Sequence, residues 1–473
     1  MENPPPIPDL PGTDSLYITT NQTETVVPVN ITVRGGSTSI LRARAGVTNT
    51  LEISSEQTRM PPEGIHILVA DNNEITVIGS NEEFFSNDGF LALPCPRLPV
   101  EQYEYFAVSL PPTTAEFVTF VTAESAILIV SCSNGTQVTF TPTQNVTNPL
   151  DSASTVPAGN STTVTLAESQ PFYIQSSGDL TGTHIVSNQP ISFFSGHECA
   201  SSPPSQGDVC DHAVEQIPPT ATWGRIFLTA PSADRTTGDM FKVVASRGNT
   251  LVNATCVNQG TPTDTPIAPN FTISLAAAGD PWSFNATATE YCSIEADKPI
   301  LVVQFGMGAL GSQANVYMTL VPAVSQYRND IRFSVVSSPG LSPVHRTNIF
   351  VSPMYFQPEN ITVDGVGGSP EQWVALRCSN GGVCGYARQI QLPGTRPRLI
   401  RHDNPEASLG VIAYGSTDSE AYGYPGGLRL SGKQQREVGL LTEVPDFSVF
   451  IRTHLSFTGL LRSPMGAHVT CAV

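Results

Sequence analysis

The chain is short of positive charge. Its 473 residues carry 23 Lys plus Arg against 41 Asp plus Glu, a formal net charge of -18 at pH 7. A surface of that sign repels phosphate backbones and anionic headgroups, which excludes nucleic acid as a partner class. Only 14% of residues are charged. Long apolar runs are missing as well: nothing approaches the roughly 18 to 20 residues of a membrane-spanning helix, so direct membrane insertion is not expected. The longest candidates, Ile127 to Val130 and Ile300 to Phe305, are strand-sized. Helical patterning is scarce, since the one stretch of charged-helix composition, Ser431 to Glu437, has Gly432 inside it. The start, Met1-Glu-Asn-Pro-Pro-Pro-Ile-Pro8, lacks the basic and then apolar region of a secretory signal.

What the sequence does contain is short alternation of apolar and polar residues, as in Ile65 to Val69, Phe117 to Val121, Gln137 to Phe140, Thr162 to Leu166, Phe241 to Val244 and Phe271 to Leu275. Val, Ile, Thr, Phe and Leu dominate these runs, and Gly, Pro or Asn closes them, which is the pattern of half-buried strands. A turn motif repeats. Asp71, Asn188, Asp297 and Asp403 each end one strand and precede the next, at intervals of 117, 109 and 106 positions. The fold class expected is all-β, with tandem antiparallel β-sandwich-like repeats at 10–93, 94–205, 206–322 and 323–430, and a partial or divergent C-terminal segment at 431–473. A β-propeller is the alternative, although one blade needs only about 40 to 50 residues.

Nine cysteines pair by locality within a unit as Cys95 with Cys132, Cys199 with Cys210, Cys256 with Cys292, and Cys378 with Cys384, leaving Cys471 unpaired. The rival for Cys199 and Cys210 is a zinc site completed by His197 and His212; an oxidising compartment favours the disulfide. Sequons occur at Asn21, Asn30, Asn134, Asn145, Asn160, Asn253, Asn270, Asn285 and Asn360. Together these features point to a secreted or extracellular glycoprotein whose targeting segment is absent from this chain.

No constellation for catalysis or for a cofactor stands out. Gly306-Met-Gly-Ala-Leu-Gly311 matches a dinucleotide fingerprint, but it is followed by another alternating strand where the cofactor site requires a helix. Asp208, Asp211, Glu215 and Asp239, with His197, Glu198 and His212, form the densest polar group, and no second histidine one helical turn from His197 completes a zinc motif. The aromatic residues Phe193, Phe194, Trp223, Phe227 and Phe241 read as sheet core. Tyr414, Tyr422 and Tyr424, set among Gly423 and Pro425, read as a loop and hence as a possible binding patch.

Several segments carry the signatures of one known family. They are Gly182-Thr-His-Ile-Val-Ser-Asn-Gln-Pro-Ile-Ser-Phe-Phe-Ser-Gly-His-Glu-Cys199, Cys210-Asp-His-Ala-Val-Glu-Gln-Ile-Pro-Pro219, Trp223-Gly-Arg-Ile-Phe-Leu-Thr-Ala-Pro231 and Gly238-Asp-Met-Phe-Lys-Val-Val-Ala-Ser246. Ala296-Asp-Lys-Pro-Ile-Leu-Val-Val-Gln-Phe305 and Ala421-Tyr-Gly-Tyr-Pro-Gly426 follow in family order. Together they resemble the N-terminal domain of the IgG Fc-binding family of mucus-associated glycoproteins, over about residues 10 to 430. It implies a secreted adhesive or mucosal glycoprotein, commonly built beside von Willebrand factor type D modules, none of which is present here; Fc binding attaches to one branch of the family. The function expected is therefore display of loops to an extracellular protein or glycan, with immunoglobulin and mucin as candidate partners and a modest site repeated in each unit for avidity. The alternative is a secreted carbohydrate-active enzyme on a β scaffold, which needs two converging carboxylates.

Overall fold

Alternation in the sequence becomes one-sided burial in the strands: along Thr136–Thr141, Val138 and Phe140 enter the core while Gln137 faces solvent. The computed structural model describes residues 13–430 except 21–25, 34–37, 54–64, 70–73, 84–85, 96–97, 113–123, 149–150, 202–210, 234, 260–269, 309–315, 337–342, 368–372 and 418–420. Among the described residues there is no α-helix, only four single-turn 3-10 segments.

The first unit contains β1 (Thr13–Thr20), β2 (Val27–Val33), β3 (Thr38–Ala43), β4 (Asn49–Ile53), β5 (Ile65–Val69), β6 (Ile75–Glu83) and β7 (Ser86–Leu91). They form the sheets β4-β1-β6-β7 and β3-β2-β5. The second unit runs through β8 (Tyr103–Phe106), β9 (Ser125–Ser131), β10 (Thr136–Thr141), the hairpin of β11 (Val146–Asn148) and β12 (Asp151–Val156), β13 (Thr162–Leu166), β14 (Pro171–Ser176), β15 (His184–Ser187), β16 (Ile191–Ala200) and β17 (Asp211–Gln216). Its sheets are β14-β9-β16-β17 and β13-β10-β15-β8.

The third unit has β18 (Gly224–Thr229), β19 (Asp239–Ala245), β20 (Thr250–Asn258), β21 (Asn270–Leu275), β22 (Pro281–Ala286), β23 (Glu290–Gly306) and β24 (Tyr317–Leu320). The long β23 serves two sheets: its first half pairs with β20 and β18, its second with β19 and β24. In the fourth unit β25 (Asp330–Phe333), β26 (Val344–Val351), β27 (Ile361–Val363), β28 (Val366–Gly367), β29 (Val374–Arg377), β30 (Val383–Leu392), β31 (Arg398–His402), β32 (Leu409–Ser416) and β33 (Ala421–Pro425) build β29-β30-β26-β32-β33 and β28-β27-β31-β25.

One topology therefore recurs four times. The orders β4-β1-β6-β7, β14-β9-β16-β17, β22-β19-β23-β24 and β30-β26-β32-β33 are the same sheet, and β13-β10-β15-β8 has counterparts in β21-β20-β23-β18 and β28-β27-β31-β25. These are antiparallel sandwiches with a core between two sheets, not the single-sheet blades of a propeller. The junction expected near 206 is displaced. β17 lies beyond it yet pairs with β16, because Phe194 to His197 need a partner on that edge and Gln216 to Ala213 supply it.

The units pack on one another in a ring. The core of the first takes in Leu128, Val130, Phe194 and Val214 of the second, and the core of the second takes in Leu301, Val303 and Phe305 of the third. The third takes in Phe350, Ile412 and Tyr414 of the fourth, and the fourth takes in Tyr17, Ile78, Leu91 and Leu93 of the first. The central sheets are thus covered on both faces. That is why β9 is buried at every residue and reads as the continuous apolar run Ala126 to Val130. The last strand of each unit, β7, β17, β24 and β33, lies at the middle, with β7 and β24 each packed against both β17 and β33.

Candidate functional site: a polar axis and an inter-unit groove

At the middle of the ring a single carboxylate serves all four last strands. Asp88 Oδ1 accepts the backbone N–H groups of Gly89 at 2.8 Å and Gly423 at 3.3 Å, and Oδ2 those of Val214 at 3.1 Å and Met318 at 3.2 Å. Burial pushes its pKa well up, while the N–H bonds pull it the other way. On one side Asp211 accepts from Asn87 and Ala421; on the other Glu215 accepts from Leu320 at 2.9 Å and Gln216 exchanges bonds with both backbone groups of Leu93.

The polar group singled out in the sequence is thereby divided. Asp211 and Glu215 belong to the axis. Asp239 lies in the third unit, where it accepts from the backbone N–H and the hydroxyl of Ser232. His197 and His212 are buried, and burial pushes them down to about 4 and about 3. Glu198 accepts from Tyr173 and Gln175. Asp208 lies outside the described residues. Each of the buried carboxylates Asp88, Asp211, Glu215 and Asp239 accepts backbone N–H groups, which is the work of a structural acceptor.

Cys95 and Cys132 form a disulfide with Cα atoms 6.4 Å apart, Cys256 and Cys292 one at 4.0 Å, and Cys378 and Cys384 one at 4.9 Å. Cys199 is also disulfide-bonded; Cys210 and Cys471 lie outside the described residues. Glu295 approaches Cys378 and Cys384, but their sulfurs are joined to each other and offer no thiolate to a metal. The last of these disulfides follows β29, which the fourth unit lays against the third: Ser293 donates to the Arg377 carbonyl, and Ser379 N–H donates to Glu295 at 2.6 Å.

Tyr414, Tyr422 and Tyr424 form no binding patch. They are 4%, 2% and 0% exposed, in β32 and β33, where Tyr414 stacks on Tyr317 and Tyr422 on Tyr424. The nearby glycines do not mark a loop; they leave room for the rings. Asn134, Asn145, Asn160 and Asn285 are exposed, while Asn30, Asn253 and Asn360 are half-buried. Asn21 lies outside the described residues, as does the side chain of Asn270.

A surface groove of about 440 Å³ opens where the second unit meets the third. Leu98, Val100, Pro219 and Pro299 give it apolar walls, and Glu104 and Arg247 bring charge to it. Glu104 Oε1 lies 2.9 Å from His184 Nε2 and Oε2 accepts from Thr220 at 3.1 Å; the His184 bond, above all, holds the carboxyl below its ordinary range. Tyr103 lies on the floor, its hydroxyl accepting the Leu98 N–H at 3.1 Å. The same two units are locked together by the buried Lys242, which donates to the Ser109 carbonyl, Thr181 and Asp179. The sequence held one signal for this place: Pro219 and Pro299 both stand in the segments that carry the family resemblance.

The family model for the IgGFc binding protein matches residues 88–415, from Asp88 at the hub to Gly415 in β32. The chain belongs to that family. It is also 28% identical over 325 residues to the IgGFc-binding protein of Homo sapiens, an alignment covering 68% of this chain and 5% of that protein. The chain thus corresponds to a small part of this relative's length. All residues that line the groove fall inside the IgGFc binding match.

Proposed function

We propose that this chain is an extracellular binding module: a rigid ring of four sandwiches that presents a groove and its surrounding loops to a protein or glycan partner. The groove carries the reading. Its volume falls in the range of small-ligand and peptide sites, and it lies at a junction between units, where such sites concentrate. The family supplies the partner class to try first, since its human relative is named for binding IgG Fc; immunoglobulin Fc and mucin head the screen.

The carbohydrate-active alternative is the weaker one. A glycosidase places two carboxyl groups about 5 to 9.5 Å apart across a sugar, and among the described residues that line the groove Glu104 is the only acidic one. A glycosylated chain secreted from animal cells, immobilised and exposed to immunoglobulin Fc, purified mucin and an oligosaccharide array, tests the reading. Saturable binding to one of these, lost on thermal unfolding, is the expected result. Absence of binding to all three, or turnover of an oligosaccharide, overturns it.

A further inference from the structure

We infer that the groove between the second and third units takes an acidic peptide segment of an extracellular protein, with Arg247 as the anchor for its carboxylate; this rests on the binding reading above. The two charged groups of the groove are in different states. Both oxygens of Glu104 are engaged, one by His184 and one by Thr220. Arg247 is exposed; its charge acts on Glu104, helping to hold that carboxyl down, but its guanidinium makes no hydrogen bond or direct ion pair among the described residues. A guanidinium carries its N–H donors in a planar fork, the shape that grips a carboxylate through two parallel bonds.

The charge of the whole chain sharpens the choice. At a net charge of -18 the surface as a whole turns an anion away, so a carboxylate is held only where a cation stands against it, as Arg247 does in the lining of the groove. The walls decide between peptide and sugar. Leu98, Val100, Pro219 and Pro299 offer aliphatic surface, while Tyr103, the one aromatic ring among the described lining residues, is 7% exposed and gives a sugar no plate to stack on. Aliphatic side chains flanking an Asp or Glu fit both features.

The probe is a fluorescent, acetylated pentapeptide of two aspartates, two leucines and a proline, with an asparagine-for-aspartate counterpart and a sialylated trisaccharide as the other arms. Anisotropy is read on the full chain, Arg247→Ala, Arg247→Lys and Glu104→Gln. The acidic peptide should bind, at least tenfold more tightly than its asparagine counterpart, with affinity falling as salt rises. Arg247→Ala should lose at least tenfold, Arg247→Lys should fall between, and all variants should keep the parent melting temperature. Equal binding by Arg247→Ala, equal binding of the neutral peptide, or no binding at millimolar peptide overturns the inference. Arg247-dependent binding of the trisaccharide alone overturns the peptide assignment. If Arg247→Ala still captures the partner found in the screen, the groove inference fails while the broader binding reading stands.

Discussion

Asp88 Oδ1 accepts the backbone N–H of Gly423 at 3.3 Å, across 335 residues of chain. That bond joins the first unit to the fourth, and the other bonds of the same carboxylate reach the second and third. Arg328 of the fourth unit paired with Glu74 of the first, and the Thr48 hydroxyl 3.0 Å from that of Ser334, hold the same junction from outside. Closure makes the units interdependent, because each core is completed by its neighbour's sheet.

The first prediction concerns that carboxylate. Asp88→Ala strands the N–H groups of Val214, Met318 and Gly423 in a buried centre, and an unsatisfied buried donor costs about 1 to 3 kcal/mol. The expected loss is on the order of 3 to 5 kcal/mol in urea unfolding at neutral pH, after relaxation offsets part of the sum. Asp88→Asn should lose nearly as much, since its amide group would face two N–H donors with hydrogens of its own. A loss under about 1 kcal/mol for Asp88→Ala would show that the hub does not hold the ring.

Tyr317 sits between two glycines, and this gives the second prediction. A Cβ built on Gly306 or on Gly423 would lie 2.3 Å from its ring. Gly306→Ala and Gly423→Ala should each destabilise by roughly 1 to 3 kcal/mol, the cost of overpacking a tight core. Because both act through one ring, Tyr317→Leu combined with either should cost less than the sum of the separate changes. Strict additivity in thermal melts would place the strain elsewhere.

Strands such as Thr136–Thr141 were legible because period-2 alternation is local, and the repeat was legible because Asn188 and Asp297 hold equivalent places in successive units, each Oδ1 accepting a backbone N–H, of Gln137 in β10 and of Leu251 in β20, although Asp297 lies within β23 and not at a break between strands. The hub was not. Its four positions are Asp88, Val214, Met318 and Gly423, which share no side-chain chemistry, and three of them contribute only backbone N–H groups. Tyr414, Tyr422 and Tyr424 misled because glycine beside tyrosine signals a loop when read locally, whereas here Gly415 and Gly423 clear space for rings in a sheet buried on both faces. The groove is assembled from four separated stretches, around Tyr103, Pro219, Arg247 and Pro299, so no single window contained it.

The third prediction tests the extracellular reading. Asn134 is exposed in the tight turn between β9 and β10, followed by Gly135 at φ 74°, so an attached glycan meets no neighbouring strand. Asn253 differs, because its Oδ1 accepts the Thr272 hydroxyl at 2.8 Å on the face of a sheet. Glycopeptide mapping of chain secreted by animal cells should find Asn134 occupied more fully than Asn253. An unmodified Asn134 would count against passage through the secretory pathway.

The last prediction is a pH dependence with a definite sign. Burial pushes His197 down to about 4 and His212 to about 3, with the like charge of His197 adding to the effect on His212; burial, and then Arg398, pushes His345 to about 4. In the unfolded chain an imidazole takes up its proton near pH 6.5. Between about pH 6.5 and 4 the unfolded state therefore binds protons that the folded state refuses, and stability falls as pH falls, by up to about 1.4 kcal/mol per pH unit for each group. Asp88, Glu215 and Asp239 act in the opposite sense: burial raises them, so the folded state retains protons that the unfolded chain releases above about pH 4, and stability is lost as pH rises through that window. The two sets overlap between pH 4 and 6.5, so the slope of the parent chain alone does not separate them. A variant does. His212→Leu removes one of the three imidazoles without touching the carboxylates, and urea unfolding at half-unit steps from pH 6.5 to 4.5 should show its stability falling less steeply than the parent's on acidification, by about 1.4 kcal/mol per pH unit at most. Parallel pH profiles for the two proteins would mean that His212 is not held neutral in the folded chain, whatever the variant does to stability at pH 7.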